Sequence, residues 1–187
     1  EPEESTSYDL GIEKGQRGAG LHLALTGFRR DSDNLIGFGF TADRPFGVYL
    51  NTARARAQGI EAEAGFDLAR GLRIAGIYSY VDAEDRSSGL ELARRPDHFG
   101  TIYADWASDF GLGLGADLRI VGPSWDNAAN TNRLDGYELL DLRASFGIGD
   151  NLELFGRVEN VFDTDYQTVA GYGTAGRSVF GGIRATM

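Results

Sequence analysis

The chain reads Leu112-Gly113-Leu114-Gly115-Ala116-Asp117-Leu118-Arg119-Ile120 past its middle, and every second residue of this stretch is apolar. The same period of two recurs in 60–68 and in 140–148. Successive side chains of a β-strand point to opposite faces, whereas an amphipathic helix repeats every 3.6 residues. These stretches therefore predict strands with one apolar face and one polar face.

The predicted strands are longer than those of most soluble proteins. Nine runs alternate, and they cover residues 5–14, 19–31, 48–69, 71–84, 94–108, 111–123, 136–148, 151–162 and 177–187. Globular strands have about 5–6 residues, whereas strands that span a membrane have about 9–11. The lengths favour an all-β, antiparallel transmembrane β-barrel over a soluble β-sandwich, the other fold class that alternates in this way.

The connections between the runs alternate between short and long. Tight turns are predicted at 15–18, 69–71, 108–110 and 149–151, and long loops at 32–47, 85–93, 124–135 and 163–176. Outer-membrane barrels have short periplasmic turns and longer extracellular loops. The order of the loops predicts that the first strand runs inward. Since bacterial barrels usually have an even number of strands, nine runs predict part of a larger barrel.

Composition excludes several classes of function. The net charge of −10 disfavours nucleic acid as a partner, because its binding depends on neutralising phosphates. The absence of cysteine excludes disulfide scaffolds, thiolate zinc sites and cysteine nucleophiles. The opening residues Glu1-Pro2-Glu3-Glu4 have no apolar signal sequence, so we expect a cleaved product or a piece of a longer chain.

Two segments near the end resemble a known family. They read GYELLDLRA at 136–144 and NLELFGRVENVFDTDY at 151–166, and they are similar to the C-terminal end of TonB-dependent outer-membrane receptors. The motif ENxFDxxY in the second segment is the most specific part. Earlier, SYDLGIE at 7–13 and RRPDH at 94–98 resemble strands of the same family, in the family's order.

The resemblance implies a fold, a location and partners. The family's barrel has 22 strands and an N-terminal plug, so residues 1–187 would form the last nine strands without the plug. The implied location is the outer membrane of a Gram-negative bacterium. The implied partners are membrane lipid, the TonB energy-coupling complex and a small-molecule nutrient. Met187 departs from the family's usual aromatic end, although it falls on the apolar register.

A narrower resemblance concerns the substrate. The segment YQTVAGYGTAGR at 166–177 is similar to the last loop of cobalamin receptors and their relatives. It implies energy-coupled uptake of cobalamin or a related corrinoid, with an iron–siderophore receptor or a passive pore as alternatives. A hydrolase would need a nucleophile, a histidine and an acid that converge. We expect no enzyme, because His22 and His98 lie far apart.

The two last long loops supply the candidate ligand-binding residues. A large amphipathic ligand needs flat apolar surfaces and a few placed polar groups. The candidates are Trp125, Asp126, Asn127, Tyr166, Gln167, Tyr172 and Thr174. The alternative is that these residues only close the loops, and that Trp125 belongs to an aromatic girdle at the membrane surface.

Two further patterns are weak indications of a cofactor or a metal. Gly171, Gly173 and Gly176 spell G-x-G-x-x-G, but a dinucleotide site needs a strand before the motif and a helix after it. Asp163 and Asp165 have a spacing that calcium ligands use, and a turn-capping role is favoured. We therefore predict no bound cofactor and no metal site.

Overall fold

The computed structural model describes residues 2–41, 44–51, 54–68 and 71–186. The described residues form strands joined by turns and loops, and contain no helix that could cross a membrane. The strands are β1 (Glu4–Gln16), β2 (Ala19–Asp33), β3 (Ile36–Thr41), β4 (Arg44–Asn51), β5 (Ala55–Leu68), β6 (Leu72–Asp85), β7 (Leu90–Glu91), β8 (His98–Ala107), β9 (Leu112–Val121), β10 (Ser124–Trp125), β11 (Arg133–Leu134), β12 (Tyr137–Ile148), β13 (Leu152–Glu159) and β14 (Ser178–Ala185).

Nine long strands form one antiparallel sheet in the order β1-β2-β5-β6-β8-β9-β12-β13-β14, and β7 extends it beside β6. Each long strand pairs with the next long strand along the chain, as in an up-and-down barrel. β1 and β14 are the two ends of the path, so the sheet is open. The predicted all-β antiparallel fold and the predicted number of nine long strands are confirmed.

The prediction was wrong about the run at 48–69 and the loop at 32–47. β4 ends at Asn51 and pairs with β3 in a separate two-stranded sheet, whereas β5 begins at Ala55 and pairs with β2 and β6. The small β3–β4 hairpin therefore lies where the sequence predicted a loop. Alternation alone cannot distinguish these partners, because it sets only which face each side chain occupies.

Two other predicted boundaries also differ from the structure. β8 begins at His98 rather than at residue 94, since Arg94 has a φ of 58° and Pro96 lacks the N–H group that a ladder needs. β13 ends at Glu159, and the next residue, Asn160, has a φ of 49°. A positive φ takes the chain out of the extended conformation.

Register separates the sheet into an apolar face and a polar face. Leu142 lies opposite Ala116 on β9 and Val158 on β13. Its neighbour Arg143 lies opposite Gly115 and Arg157 on the other face. Apolar and polar side chains therefore occupy opposite faces of the sheet, as the alternation predicts. The apolar face includes Leu112, Leu114, Leu118, Leu140, Leu142, Phe146, Leu152 and Leu154, and the polar face Glu61, Glu63, Asp117, Arg119, Arg143 and Arg157.

The described sheet is a single layer. Only five hydrophobic residues in the described part of the chain are buried: Ala55, Ala75, Ala83, Leu134 and Leu139. Large apolar side chains along the strands stay exposed, as Ile102 does at 50%. A β-sandwich would cover one face with a second sheet about 10 Å away. No such sheet exists among the described strands, so the sandwich alternative does not fit.

Aromatic side chains lie near both ends of the apolar face. Trp106 pairs with Leu72 and Leu114 beside the short turns. Near the long loops, the Tyr78 hydroxyl lies 2.7 Å from Nδ1 of His98, and the Tyr80 and His98 rings are 5.1 Å apart. Aromatic residues flank the apolar band of outer-membrane barrels at both membrane surfaces. This spacing fits that arrangement.

Candidate ligand-binding loops

Three long connections meet at the end of the sheet opposite the short turns. We call residues 86–97, 122–136 and 160–177 loop A, loop B and loop C, and together the loop cluster. Loop A follows β6, loop B contains the β10–β11 hairpin, and loop C joins β13 to β14. All seven candidate ligand-binding residues lie in loops B and C.

Asp126 connects all three loops. Its Oδ1 accepts hydrogen bonds from Arg94 Nε in loop A at 2.9 Å and from the Ala170 amide in loop C at 3.2 Å. The Arg94 amide also donates to the Trp125 carbonyl at 2.6 Å. The Ala170 amide, followed by the Arg94 guanidinium, lowers the pKa of Asp126 below its ordinary value. The carboxylate is therefore ionised at neutral pH and joins the loops.

Asn127 and Asn130 organise loop B. The Asn127 amide group donates to Thr131 Oγ1 at 2.9 Å, and its Oδ1 accepts from the Thr131 amide at 3.0 Å. The side chain of Asn130 makes a two-bond contact with the backbone of Glu91 in loop A, at 2.9 and 3.0 Å. Asn127 therefore shapes its own loop, and Asn130 joins loop B to loop A.

Three candidate residues of loop C make contacts within the protein. The Tyr166 ring lies 4.3 Å from that of Tyr137 on β12. The Thr174 hydroxyl donates to the Tyr166 carbonyl at 2.7 Å, and Gln167 Oε1 accepts from the Gly171 amide at 3.1 Å. These contacts fit the loop-closing role more closely than direct ligand contact.

Tyr172 and Trp125 leave aromatic surface at the cluster. Tyr172 is 72% exposed, in a turn where its amide donates to the Val169 carbonyl at 3.1 Å. Trp125 is half-buried at the end of β10, where it pairs with Arg133. Tyr172 is therefore the aromatic candidate whose ring is largely exposed. Between loops B and C lies a cavity of about 240 Å³ lined by Arg133, Leu134, Asp135, Gly136, Asp165, Tyr166 and Gln167.

Asn160 is a structural residue that the sequence interpretation did not single out. It is 5% exposed, its Oδ1 accepts from the Thr164 amide at 2.9 Å, and its Nδ2 donates to the Thr164 carbonyl at 2.9 Å. Its own amide donates to Asp141 on β12 at 2.8 Å. Asn160 and Thr164 belong to the ENxFDxxY motif, which therefore fixes the start of loop C.

Asp163, the first of the two possible calcium ligands, caps the end of loop C. Its Oδ1 accepts from the Arg177 amide at 2.7 Å, directly before β14 begins. This contact fits the turn-capping role. The described residues contain no group of three or more His, Cys, Asp or Glu side chains that could hold a metal ion.

Charged residues on the polar face pair across strands. Arg143 on β12 donates to Asp117 on β9 and to Asp105 on β8. Arg184 on β14 donates to Glu153 on β13 at 2.6 Å. Opposite charges that face each other on neighbouring strands stabilise a sheet. These pairs agree with the predicted polar interior.

His22 and His98 lie on opposite faces of the sheet, so they do not form a joint site. His22 is 2% exposed on the polar face, with Nε2 3.5 Å from Glu63 and Nδ1 3.7 Å from Glu13. His98 belongs to the apolar face through its pairing with Tyr80.

The chain matches the family model described as TonB dependent receptor-like, beta-barrel, over residues 1–161. The chain belongs to the TonB-dependent receptor family. Members of this family are transport receptors of the Gram-negative outer membrane, so the predicted family, location and barrel fold are confirmed. The part after residue 161 includes most of loop C and all of β14.

One relative in sequence is the vitamin B12 transporter BtuB of Photobacterium profundum. It is 35% identical over 188 residues, which are 96% of this chain and 29% of the relative. This chain therefore spans less than a third of that relative's length.

Solved structures of TonB-dependent receptors have the same strand arrangement. The ferripyoverdine receptor of Pseudomonas aeruginosa has a TM-score of 0.79 at 24% identity, covering 99% of this chain and 27% of its own. The siderophore receptor PiuA from Acinetobacter baumannii has a TM-score of 0.81 at 21% identity, covering 98% of this chain and 28% of its own. At these identities the likeness shows the fold.

Proposed function

We propose that the receptor containing this chain takes up cobalamin or a related corrinoid by energy-coupled transport. The chain would form the C-terminal portion of the barrel, with its apolar face against membrane lipid and its polar face towards the lumen. The TonB complex would act through a plug outside these residues. The receptor would carry out no chemistry on its substrate, in agreement with its transport family.

The observation that supports the substrate is the 35% identity to a vitamin B12 transporter along 96% of the chain. The geometry of the loop cluster agrees with it. Asp126 and Asn130 join the three loops, and we propose that Trp125 and Tyr172 form one surface of this cluster that is ordered before a ligand arrives. A surface that is ordered in advance binds more tightly, since less conformational entropy is lost on binding.

A ferric siderophore is the second candidate substrate. The structural neighbours include the ferripyoverdine receptor and the siderophore receptor PiuA, both with TM-scores near 0.8. Binding of radiolabelled cyanocobalamin to the intact receptor in outer-membrane preparations separates the two candidates. Binding that excess unlabelled cobalamin displaces supports the proposal. Binding of a ferric siderophore without cobalamin would overturn the substrate and leave the transport family unchanged.

Two substitutions test the aromatic anchors. Tyr172→Ala and Trp125→Ala should each raise the Kd for cyanocobalamin about five-fold, which corresponds to about 1 kcal/mol. Phe110→Ala is the matched control, because Phe110 is 65% exposed in a short turn at the opposite end of the sheet. Unchanged affinity in both loop variants, with normal assembly, would exclude these residues from the binding surface.

A further inference from the structure

The apolar face contains a groove beside β2, β5 and β6. Small residues form its floor, namely Ala62, Ala64 and Gly76. Larger side chains rise around it, among them Ile12, Leu23, Leu25, Tyr78 and Ile102. Its volume is about 590 Å³. An unfilled groove on a lipid-facing surface would leave its lining atoms without van der Waals contacts, which is costly. A flexible hydrocarbon chain can follow the groove and restore these contacts.

A single cation lies at the edge of this groove. Lys14 lines it, and the row Lys14–Leu23–Ala64–Gly76 crosses four neighbouring strands. On the apolar face of these strands, from the row of Leu10 to the short turns, Lys14 is the only charged residue of the described chain. It also makes no ion pair with the described residues.

The depth of Lys14 differs from that of the groove floor. Lys14 lies two residues before the end of β1 at Gln16, whereas Ala64 and Gly76 each lie four residues from the strand ends Leu68 and Leu72 at the turn between β5 and β6. At about 3.4 Å per residue, the floor lies roughly one-third of the way into the hydrocarbon core. Short turns face the periplasm in outer-membrane barrels. Lys14 is therefore at headgroup level and the groove at acyl-chain level.

We propose that this groove holds one acyl chain of a phospholipid with an anionic headgroup, whose phosphate binds the Lys14 ammonium group. The inference rests on the proposed lipid contact of the apolar face and is independent of the transported substrate. A lysine near a membrane surface attracts anionic lipid. The apolar walls then hold the chain that follows the headgroup.

A second groove on the same face provides an internal comparison. It has a volume of about 570 Å³, and its floor is formed by Ala104, Ala116, Ala144 and Gly156. Its walls include Trp106, Leu114 and Leu142. Arg143 and Arg157 also border it, but their register places their side chains on the polar face. The second groove therefore matches the first in size and lacks its apolar-face cation.

Native mass spectrometry of the intact receptor tests the headgroup contact. The detergent-purified receptor is mixed with equal amounts of dioleoylphosphatidylglycerol and dioleoylphosphatidylcholine. We expect the receptor to retain about five-fold more phosphatidylglycerol than phosphatidylcholine. This is the ratio that corresponds to the attraction of about 1 kcal/mol between one lysine and an anionic headgroup. Lys14→Gln should bring the ratio close to one, and Lys14→Arg should preserve it. The proposal is overturned if the unsubstituted receptor shows no preference for phosphatidylglycerol, or if Lys14→Gln retains that preference.

Filling each groove tests the position of the acyl chain. Ala64→Leu should lower the amount of retained phosphatidylglycerol several-fold, whereas Ala144→Leu in the second groove should leave the lipid ratio unchanged. Equal effects of the two substitutions overturn the assignment to the first groove. Cyanocobalamin binding, measured on the same samples, should be unchanged in all variants. Failure of cobalamin binding with an intact lipid preference overturns only the proposed substrate, and the reverse result overturns only the lipid site.

Discussion

The sheet and the loop cluster are held together in different ways. In the sheet, continuous backbone ladders join neighbours such as β5 and β6 along their whole length, from Ala55–Asp85 to Leu68–Leu72. In the loop cluster, a few side chains such as Asp126 and Asn160 make the connecting bonds. The stability of the sheet therefore depends on backbone pairing and on the alternation of apolar and polar residues, to which many residues contribute. The loop cluster depends on individual residues, each of which has several partners.

The largest expected effect comes from placing a charged side chain on the apolar face of the sheet. Leu142→Arg places a charge on the apolar face near the middle of β12, and should cost about 2–4 kcal/mol of folding free energy in lipid. Arg143→Leu should cost about 1 kcal/mol or less, because its pairs with Asp105 and Asp117 are half exposed. Urea-induced unfolding of the receptor in lipid vesicles measures both. A larger loss for Arg143→Leu would contradict the assignment of the faces.

A smaller effect is expected from one buried residue of the loop cluster. Asn160→Ala removes both side-chain hydrogen bonds to Thr164. It also places alanine at a φ of 49°, which alanine adopts less readily than asparagine does. We expect it to lower the free energy of unfolding by about 1–3 kcal/mol. Asn151→Ala is the control, since Asn151 is exposed and its side chain makes one bond, to the Thr186 carbonyl at 2.7 Å. Equal losses in urea unfolding would show that Asn160 has no special role.

The smallest expected effect is the pH dependence of the link made by Asp126. Because hydrogen bonds lower its pKa in the folded protein, its contribution is complete above the ordinary carboxyl pKa of about 3.9. It is lost as the pH falls through the lower folded value. The protection factor of the Ala170 amide, which compares its hydrogen exchange with that of an unstructured peptide at the same pH, should therefore fall several-fold below about pH 4. Asp126→Asn should show fast exchange at neutral pH and lose this pH dependence.

A slow Ala170 amide in the Asp126→Asn variant at neutral pH would instead mean that other contacts hold loop C. Asp109→Asn serves as a control, because Asp109 is an exposed residue in the short turn between β8 and β9. Its substitution should leave exchange at Ala170 unchanged.

The candidate binding residues stay predictions, and the structure shows the contacts that they make within the protein. The sequence placed Trp125 and Tyr172 in long loops, and the structure leaves aromatic surface at both. Asp126 was predicted as a possible ligand contact, but it bonds Arg94 and Ala170. Arg94 was assigned to a strand and lies in loop A instead. Contacts between residues 32 and 44 positions apart leave no periodic signal in the sequence, so the alternation pattern could not reveal them.

The sequence by itself determined the strands, their two faces and the family. A period of two is local, since the alternation of side chains follows from the geometry of the extended backbone. Only the tertiary structure decided that β4 pairs with β3 rather than continuing into β5, that Asp126 joins three loops, and that small residues on β5 and β6 form a groove beside Lys14. Each of these features depends on register between distant segments, which backbone pairing and packing fix only after the strands have come together.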